Sequence, residues 1–174
     1  MDVLLVIDVQ QGLFEQPRHQ DAQVLANINR LTQGVRQGGG RVIYVQHDEP
    51  GGELEPGSPA WQIHAALSPR PADSRVRKRA CDSFLDTELG FLLAEQSVDR
   101  LILCGCATDF CVDTTVRSAA SHGFEVTVAR DAHTTADRPH LGADDIITHH
   151  NWMWENLALP GDRRVLVQPT DQII

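Results

Sequence analysis

The sequence predicts a single-domain, three-layer α/β/α fold on a mainly parallel six-stranded sheet. Three observations carry this. Short apolar runs such as VLLVI (3–7) read as strands buried on both faces. Segments with helically spaced apolar residues alternate with them, and that order builds a parallel sheet covered by helices on both sides. The 174 residues show no repeat, low-complexity tract or shift in composition, so 1–174 reads as one domain, long enough for a proper core.

The elements follow in order. After the strand at 3–7, residues 21–40 space Val24, Leu25, Ile28, Leu31 and Val35 as one helical face, and the glycine run 38–40 stops the helix. RVIYVQH (41–47) is the second strand. Residues 48–74 are rich in Pro, Gly, Ser and charge and read as a long loop, with a short helix around WQIHAAL (61–67). Loops of that length in compact domains are usually functional. RVRK (75–78) is a third, short strand. Asp86 or Thr87 caps a helix in TELGFLLAEQ (87–96), with Leu89, Leu92 and Leu93 apolar. DRLILCG (99–105) is a strand, CVDTTVRSAASHG (111–123) a helix ended by Gly123, FEVTVARDA (124–132) a strand, HLGADDIITHHNWMWENLA (140–158) a helix, and RVLVQ (164–168) the last strand. This is a Rossmann-like order, but the first strand leads into DVQQG rather than a glycine-rich phosphate turn, which disfavours a dinucleotide enzyme.

Composition narrows the function. Apolar content of 41% and charged content of 22% are ordinary for a soluble protein. A net charge of −9 opposes binding to nucleic acid or an anionic membrane, because both need a basic face. MDVLLVIDVQ lacks the basic start of a signal peptide, and Asp8 interrupts its apolar run. A cytoplasmic location is therefore expected, with Cys81, Cys104, Cys106 and Cys111 as thiols. No two of them form a C-x-x-C pair, and QHDEPGG (46–52) with His64 lacks metal-ligand spacing. No metal and no cofactor is expected, and His47 and Asp48 read as loop-ordering residues.

Ligands of open parallel sheets bind at the carboxyl ends of the strands. Asp8 ends the first strand, Lys78 the third, and Cys111 follows the fourth at a helix start, so one cleft can hold all three. A thiolate is the reactive form of cysteine, and an ammonium and a helix N-terminus both favour it. A carboxylate held by Lys78 can accept the thiol proton, and backbone N–H groups in the turn GCAT can face an oxyanion. Ordinary readings stand beside these: Asp8 as a cap, Lys78 within a solvated basic patch RVRKR, and Cys111 as a small buried hydrophobe.

The motifs in combination are more specific. VIDVQQGLF (6–14), KRACDSFLDTEL (78–89), GCATDFCVDTTVRSAASHGFEV (105–126) and RDAHTT (130–135) resemble the isochorismatase-like cysteine hydrolases, a family with nicotinamidases and N-carbamoylsarcosine amidase among its members. The resemblance implies Asp8 as acid/base, Lys78 as the group that stabilises negative charge, and Cys111 as nucleophile. It also implies a cis peptide at Cys106–Ala107 and an oxyanion hole from the N–H groups of Ala107 and Cys111. Vinyl ether hydrolases of the family typically lack the cysteine, so Cys111 points to an amide or N-carbamoyl C–N bond in a small-molecule substrate, by way of a thioester. The alternatives are an isochorismatase-type vinyl ether hydrolase, or a non-enzymatic thiol redox or scaffold protein on the same fold. Gln10, Phe14, Trp61, Phe84 and Phe110 are the candidate substrate-binding residues, and Arg77, Arg79 or His133 could hold a substrate carboxylate. Trp152, Met153 and Trp154 read as an interface, and the resemblance supports a homo-oligomer, dimer or tetramer.

Overall fold

Strand β1 (Asp2–Ile7) lies in the middle of the sheet, and its sequence says why: DVLLVI sends apolar side chains to both faces, and everything from Val3 to Ile7 is buried. The computed structural model describes residues 1–95 and 97–174. Around β1 stand β2 (Arg41–His47), β3 (Ser74–Lys78), β4 (Arg100–Cys106), β5 (Val126–Thr134) and β6 (Leu166–Gln168). Their order is β3-β2-β1-β4-β5-β6 and every pairing is parallel. The expected six-stranded parallel sheet is the one observed.

The two-residue period of β1 divides the core. Val3, Leu5 and Ile7 face a layer containing α2 (Leu89–Ala94), α3 (Asp113–Ser121) and α4 (Ala143–Glu155), where Leu89, Leu93, Val116, Ala119 and Trp154 meet them. Leu4 and Val6 face α1 (Asp21–Gln37) and α5 (Thr170–Ile173), through Val24, Ile28, Leu31 and Ile173. Each Val, Leu or Ile among them, fully buried, contributes on the order of 1.5–3 kcal/mol of transfer free energy. Gly105, on β4 opposite Ile7, has φ +126°, and a Cβ there would stand 2.0 Å from the Ile7 carbonyl oxygen. Only glycine lets β4 approach β1 this closely.

Several boundaries differ from the sequence reading. WQIHAAL forms no helix. Its backbone is engaged elsewhere: His64 N–H donates to Val9 O at 2.8 Å, and Gln11 N–H to Gln62 O at 2.8 Å. The segment straps the chain leaving β1. The helix expected over 87–96 forms over Leu89–Ala94, with the Thr87 hydroxyl accepting the Leu89 N–H at 3.2 Å; Gln96 lies outside the described residues. The helix expected from 140 starts at Ala143, whose N–H the Asp137 carboxylate accepts at 2.9 Å. β5 runs on to Thr134, and β6 is confined to three residues. Among the described residues no helix is long and apolar enough to cross a membrane.

Candidate active site

β1, β3 and β4 end at one edge of the sheet, so their terminal residues meet. Asp8 follows β1 directly. Its φ of +49° lies in the left-handed region that Asp tolerates better than most residues, and its N–H is held by Val45 O at 2.9 Å. The turn puts the carboxylate under the sheet edge, 1% exposed. Lys78 closes β3 beside His47, its register partner on β2. Its ammonium lies 2.7 Å from Asp8 Oδ2, 2.9 Å from Ala80 O, 3.2 Å from Cys111 Sγ and 3.2 Å from His47 Nδ1. Three N–H groups thus face four acceptors.

Cys111 sits in a π-helical turn, Thr108–Val112, that precedes α3. The Ala107 carbonyl accepts the N–H groups of both Phe110 and Val112, each at 3.1 Å. The Cys106–Ala107 peptide is cis, and among the described residues the Ala107 N–H donates to no protein group. Two sets of side-chain contacts fix the turn. The Asp109 carboxylate accepts from Thr135 at 2.7 Å and from Arg138 at 2.8 and 2.9 Å. Thr108 Oγ1 meets His133 Nδ1 at 2.8 Å, and His133 Nε2 meets Asn151 Oδ1 at 3.0 Å. Since the Asn151 amide nitrogen donates to Arg130 O, Oδ1 must accept from Nε2–H, leaving Nδ1 to accept the Thr108 hydroxyl proton.

Electrostatics set the resting protonation. Burial raises the Asp8 pKa, and Lys78 offsets part of that rise. Burial also raises the Cys111 thiol, the Asp8 charge raises it further, and Lys78 opposes both. For Lys78 the desolvation that would lower its pKa is outweighed by Asp8 and Cys111, and the ammonium is held charged. Burial and Asp8 thus hold the thiol neutral beside the Lys78 ammonium, whose 2.7 Å contact with Asp8 is that of an ion pair. The sequence led us to expect a thiolate favoured by Lys78 and the helix start; burial and the neighbouring carboxylate outweigh them. Asp8 Oδ1 is buried and takes no hydrogen bond among the described residues. Donor atoms of Asp8, His47 and Cys111 lie within 4.8 Å of one another, a spacing that suits a cation, and the Lys78 ammonium is that cation.

A cleft of about 330 Å³ opens over this set. Leu13, Leu54 and Phe110 give it apolar walls, Arg18, Arg138 and Glu49 bring charge, and Asp8, His47, Cys106, Ala107 and Cys111 line its floor with Cys81 beside them. Of the five residues expected to bind substrate, Phe110 lines the cleft. Gln10 is fully buried and bridges His47 and Trp61 through their backbones. Phe14 packs on the α1 layer beside His64. Phe84 stacks on His122 and Phe124 against the opposite core. The Trp61 indole donates to Asp48 at 2.8 Å, and Arg77 pairs with that same carboxylate at 2.7 Å, so Asp48 does order the long loop. This engages Arg77, and His133 is buried, so neither faces the cleft. Trp154 packs in the core with its N–H on Asp113, while Trp152 is 62% exposed.

Sequence reasoning missed the His47 ring, Arg18, Arg138, Glu49, Leu13 and Leu54. His47 had a legible signal, a polar residue at a strand's carboxyl end. Leu13 stands in a short 3-10 turn, Gly12–Phe14, and the others in loops, where no periodicity marks which side chains turn inward.

Comparison with known proteins agrees with this architecture. The family model described as the isochorismatase domain matches residues 2–159. The chain is 37% identical over 143 residues to a streptothricin hydrolase of Streptomyces noursei, covering 80% of this chain and 56% of that protein. It spans about half the length of the two streptothricin hydrolases it matches. A maleamate amidohydrolase of Pseudomonas putida is 30% identical over 79 residues, 45% of this chain and 37% of that one. A solved isochorismatase family protein superposes with a TM-score of 0.87 at 35% identity, over 95% of this chain and 96% of that one.

Proposed function

The chain belongs to the isochorismatase-like hydrolase family, and from that premise we propose that it is a cysteine amidohydrolase, cleaving an amide or N-carbamoyl C–N bond of a small molecule through a thioester. The observation that carries the reading is one ammonium, Lys78, within 2.7 Å of a buried carboxylate and 3.2 Å of a cleft-lining thiol. Asp8 takes the thiol proton as Cys111 Sγ attacks the carbonyl carbon. The oxyanion that forms is met by the N–H groups of Ala107 and Cys111. Asp8, now protonated, gives its proton to the departing nitrogen. In the second half Asp8 takes a proton from water, the hydroxide attacks the thioester, and the thiolate that leaves recovers the proton. Lys78 balances the negative charge as it moves between carboxylate and sulfur.

The relative named as a streptothricin hydrolase supports hydrolysis, and the one named as a maleamate amidohydrolase supports an amide as the bond cut. A redox reading is disfavoured because Cys104 and Cys106 are buried, with the Cys106 thiol pushed up to about 12 by burial, so neither is poised to resolve an oxidised Cys111. A homo-oligomer and a cytoplasmic setting belong to the same proposal; the exposed Trp152 supports the first and four free thiols the second.

The test is a panel of small amides, N-carbamoyl compounds and vinyl ethers, with mass spectrometry of the intact protein during turnover. An acyl adduct on Cys111, and loss of turnover in Cys111→Ala, are expected. Undiminished turnover in Cys111→Ala would overturn the thioester route.

A further inference from the structure

Resting on that reading, we propose that His47 is a fourth working member of the site, a positioning residue whose neutral ring holds the Lys78 ammonium where it reaches Asp8 and Cys111 together. Neighbouring strands create the contact. His47 and Lys78 are register partners at the ends of β2 and β3, and Nδ1 lies 3.2 Å from Nζ. The His47 backbone is itself clamped. Gln10 Oε1 accepts its N–H at 2.8 Å, and Gln10 Nε2 donates to its carbonyl at 3.0 Å. Gln10 is wholly buried and spends its other amide hydrogen on Trp61 O at 3.0 Å. A buried, fully occupied amide thus fixes a residue whose ring stands at the cleft floor.

Counting hydrogens explains why the ring matters. Asp8 Oδ2 and Ala80 O take two of the three ammonium hydrogens. The third is contested by His47 Nδ1 and Cys111 Sγ, at the same distance of 3.2 Å. A neutral thiol is a weak acceptor, so at rest His47 holds this hydrogen. Once the thiol proton has moved to Asp8, the thiolate is the stronger acceptor and the hydrogen swings to sulfur. His47 keeps Nζ aimed without tying it to the nucleophile.

This role needs a lone pair on Nδ1, hence a neutral ring with its hydrogen on Nε2. The charged and titratable groups facing it are Lys78 from β3, Asp8 after β1, Asp48 and Glu49 after β2, and Cys111 from the turn. Burial, and then Lys78, lower the His47 pKa and keep the ring neutral around pH 7. Protonation would remove the acceptor and place a second cation beside the ammonium.

The experiment compares wild type, His47→Ala and His47→Asn, reading Cys111 alkylation by iodoacetamide against pH together with kcat and KM on the best amide of the panel. The Asn side-chain oxygen stands near the place of Nδ1 and does not titrate. We expect His47→Ala to lower kcat on the order of 10²-fold, as misplacing a catalytic group does, with KM changed less than about threefold. His47→Asn should regain most of that loss at pH 7, and its acid limb should show one ionisation where wild type shows two. An unaltered kcat and pH profile in His47→Ala, or a His47→Asn no better than His47→Ala, would sink the proposal. If Cys111→Ala and Asp8→Asn are inactive in the same assay, that failure belongs to His47 alone; if Cys111→Ala still turns over, the thioester reading itself has failed.

Discussion

Asp8 and Lys78 form an ion pair at 2.7 Å whose side chains are 2% and 0% exposed. Breaking such a pair from one side strands a charge out of water. Lys78→Met should therefore destabilise the fold by about 3–5 kcal/mol, and Asp8→Asn combined with Lys78→Met should regain much of it. Urea unfolding at pH 7 measures both. A single mutant as stable as wild type would show that water reaches the pair.

The Cys111 thiol is raised first by burial and then by Asp8, against Lys78. Removing the carboxylate leaves the ammonium unopposed. Asp8→Asn should shift the alkylation profile of Cys111 to lower pH, making the thiol more reactive at pH 7 while abolishing turnover. Lys78→Met should shift it the other way. Site-resolved alkylation by mass spectrometry gives both directions, and a profile in Asp8→Asn shifted to higher pH would contradict the assigned charges.

His133 is buried behind the π-helical turn, and burial pushes its pKa down to about 4. The unfolded chain, with an ordinary His near ~6.5, binds the proton more readily. This group's stability contribution is thus whole above about pH 6.5 and is lost as the pH falls toward 4, about 3 kcal/mol in all. The loss between pH 6.5 and 4 should be smaller in His133→Gln than in wild type, and denaturant midpoints across that window test it. Equal slopes would place the charge elsewhere.

Arg18 lines the cleft, gives its Nε–H to Leu13 O at 2.6 Å, and has no ion-pair partner among the described residues. Amides that carry a carboxylate should profit from it. Arg18→Met should raise KM for such substrates about tenfold or more, the worth of one charged hydrogen bond, and leave neutral amides nearly unchanged. Michaelis kinetics on a matched pair, acid and methyl ester, decides the matter.

The sheet was legible because β1, β2 and β4 are apolar on both faces, a pattern that few other structures share. The meeting of Asp8, Lys78 and Cys111 was legible from strand ends and motif spacing. WQIHAAL was misread because its apolar residues suggest a helix, while its backbone hydrogen bonds go to the chain after β1. Of the aromatic residues expected at the pocket, Phe110 lines it, while Phe14, Trp61 and Phe84 are engaged elsewhere. Phe14 and Phe84 pack against the two core layers instead. His47 was read for its side chain's metal-ligand spacing along the chain, and its contact runs across the sheet to the neighbouring strand.

The side chains that meet at Lys78 hang from strand ends or from the turn that follows β4, whereas Leu13, Arg18, Glu49 and Leu54 come from connecting segments. On the proposed reading, reactivity and most of the selectivity are inherited on separate parts of the chain, Phe110 beside Cys111 being shared between them. On that reading, mutations at Leu13, Arg18, Glu49 and Leu54 can re-tailor what enters the cleft while Asp8, Lys78 and Cys111 stay in register, so relatives that keep one chemistry are free to diverge widely in diet.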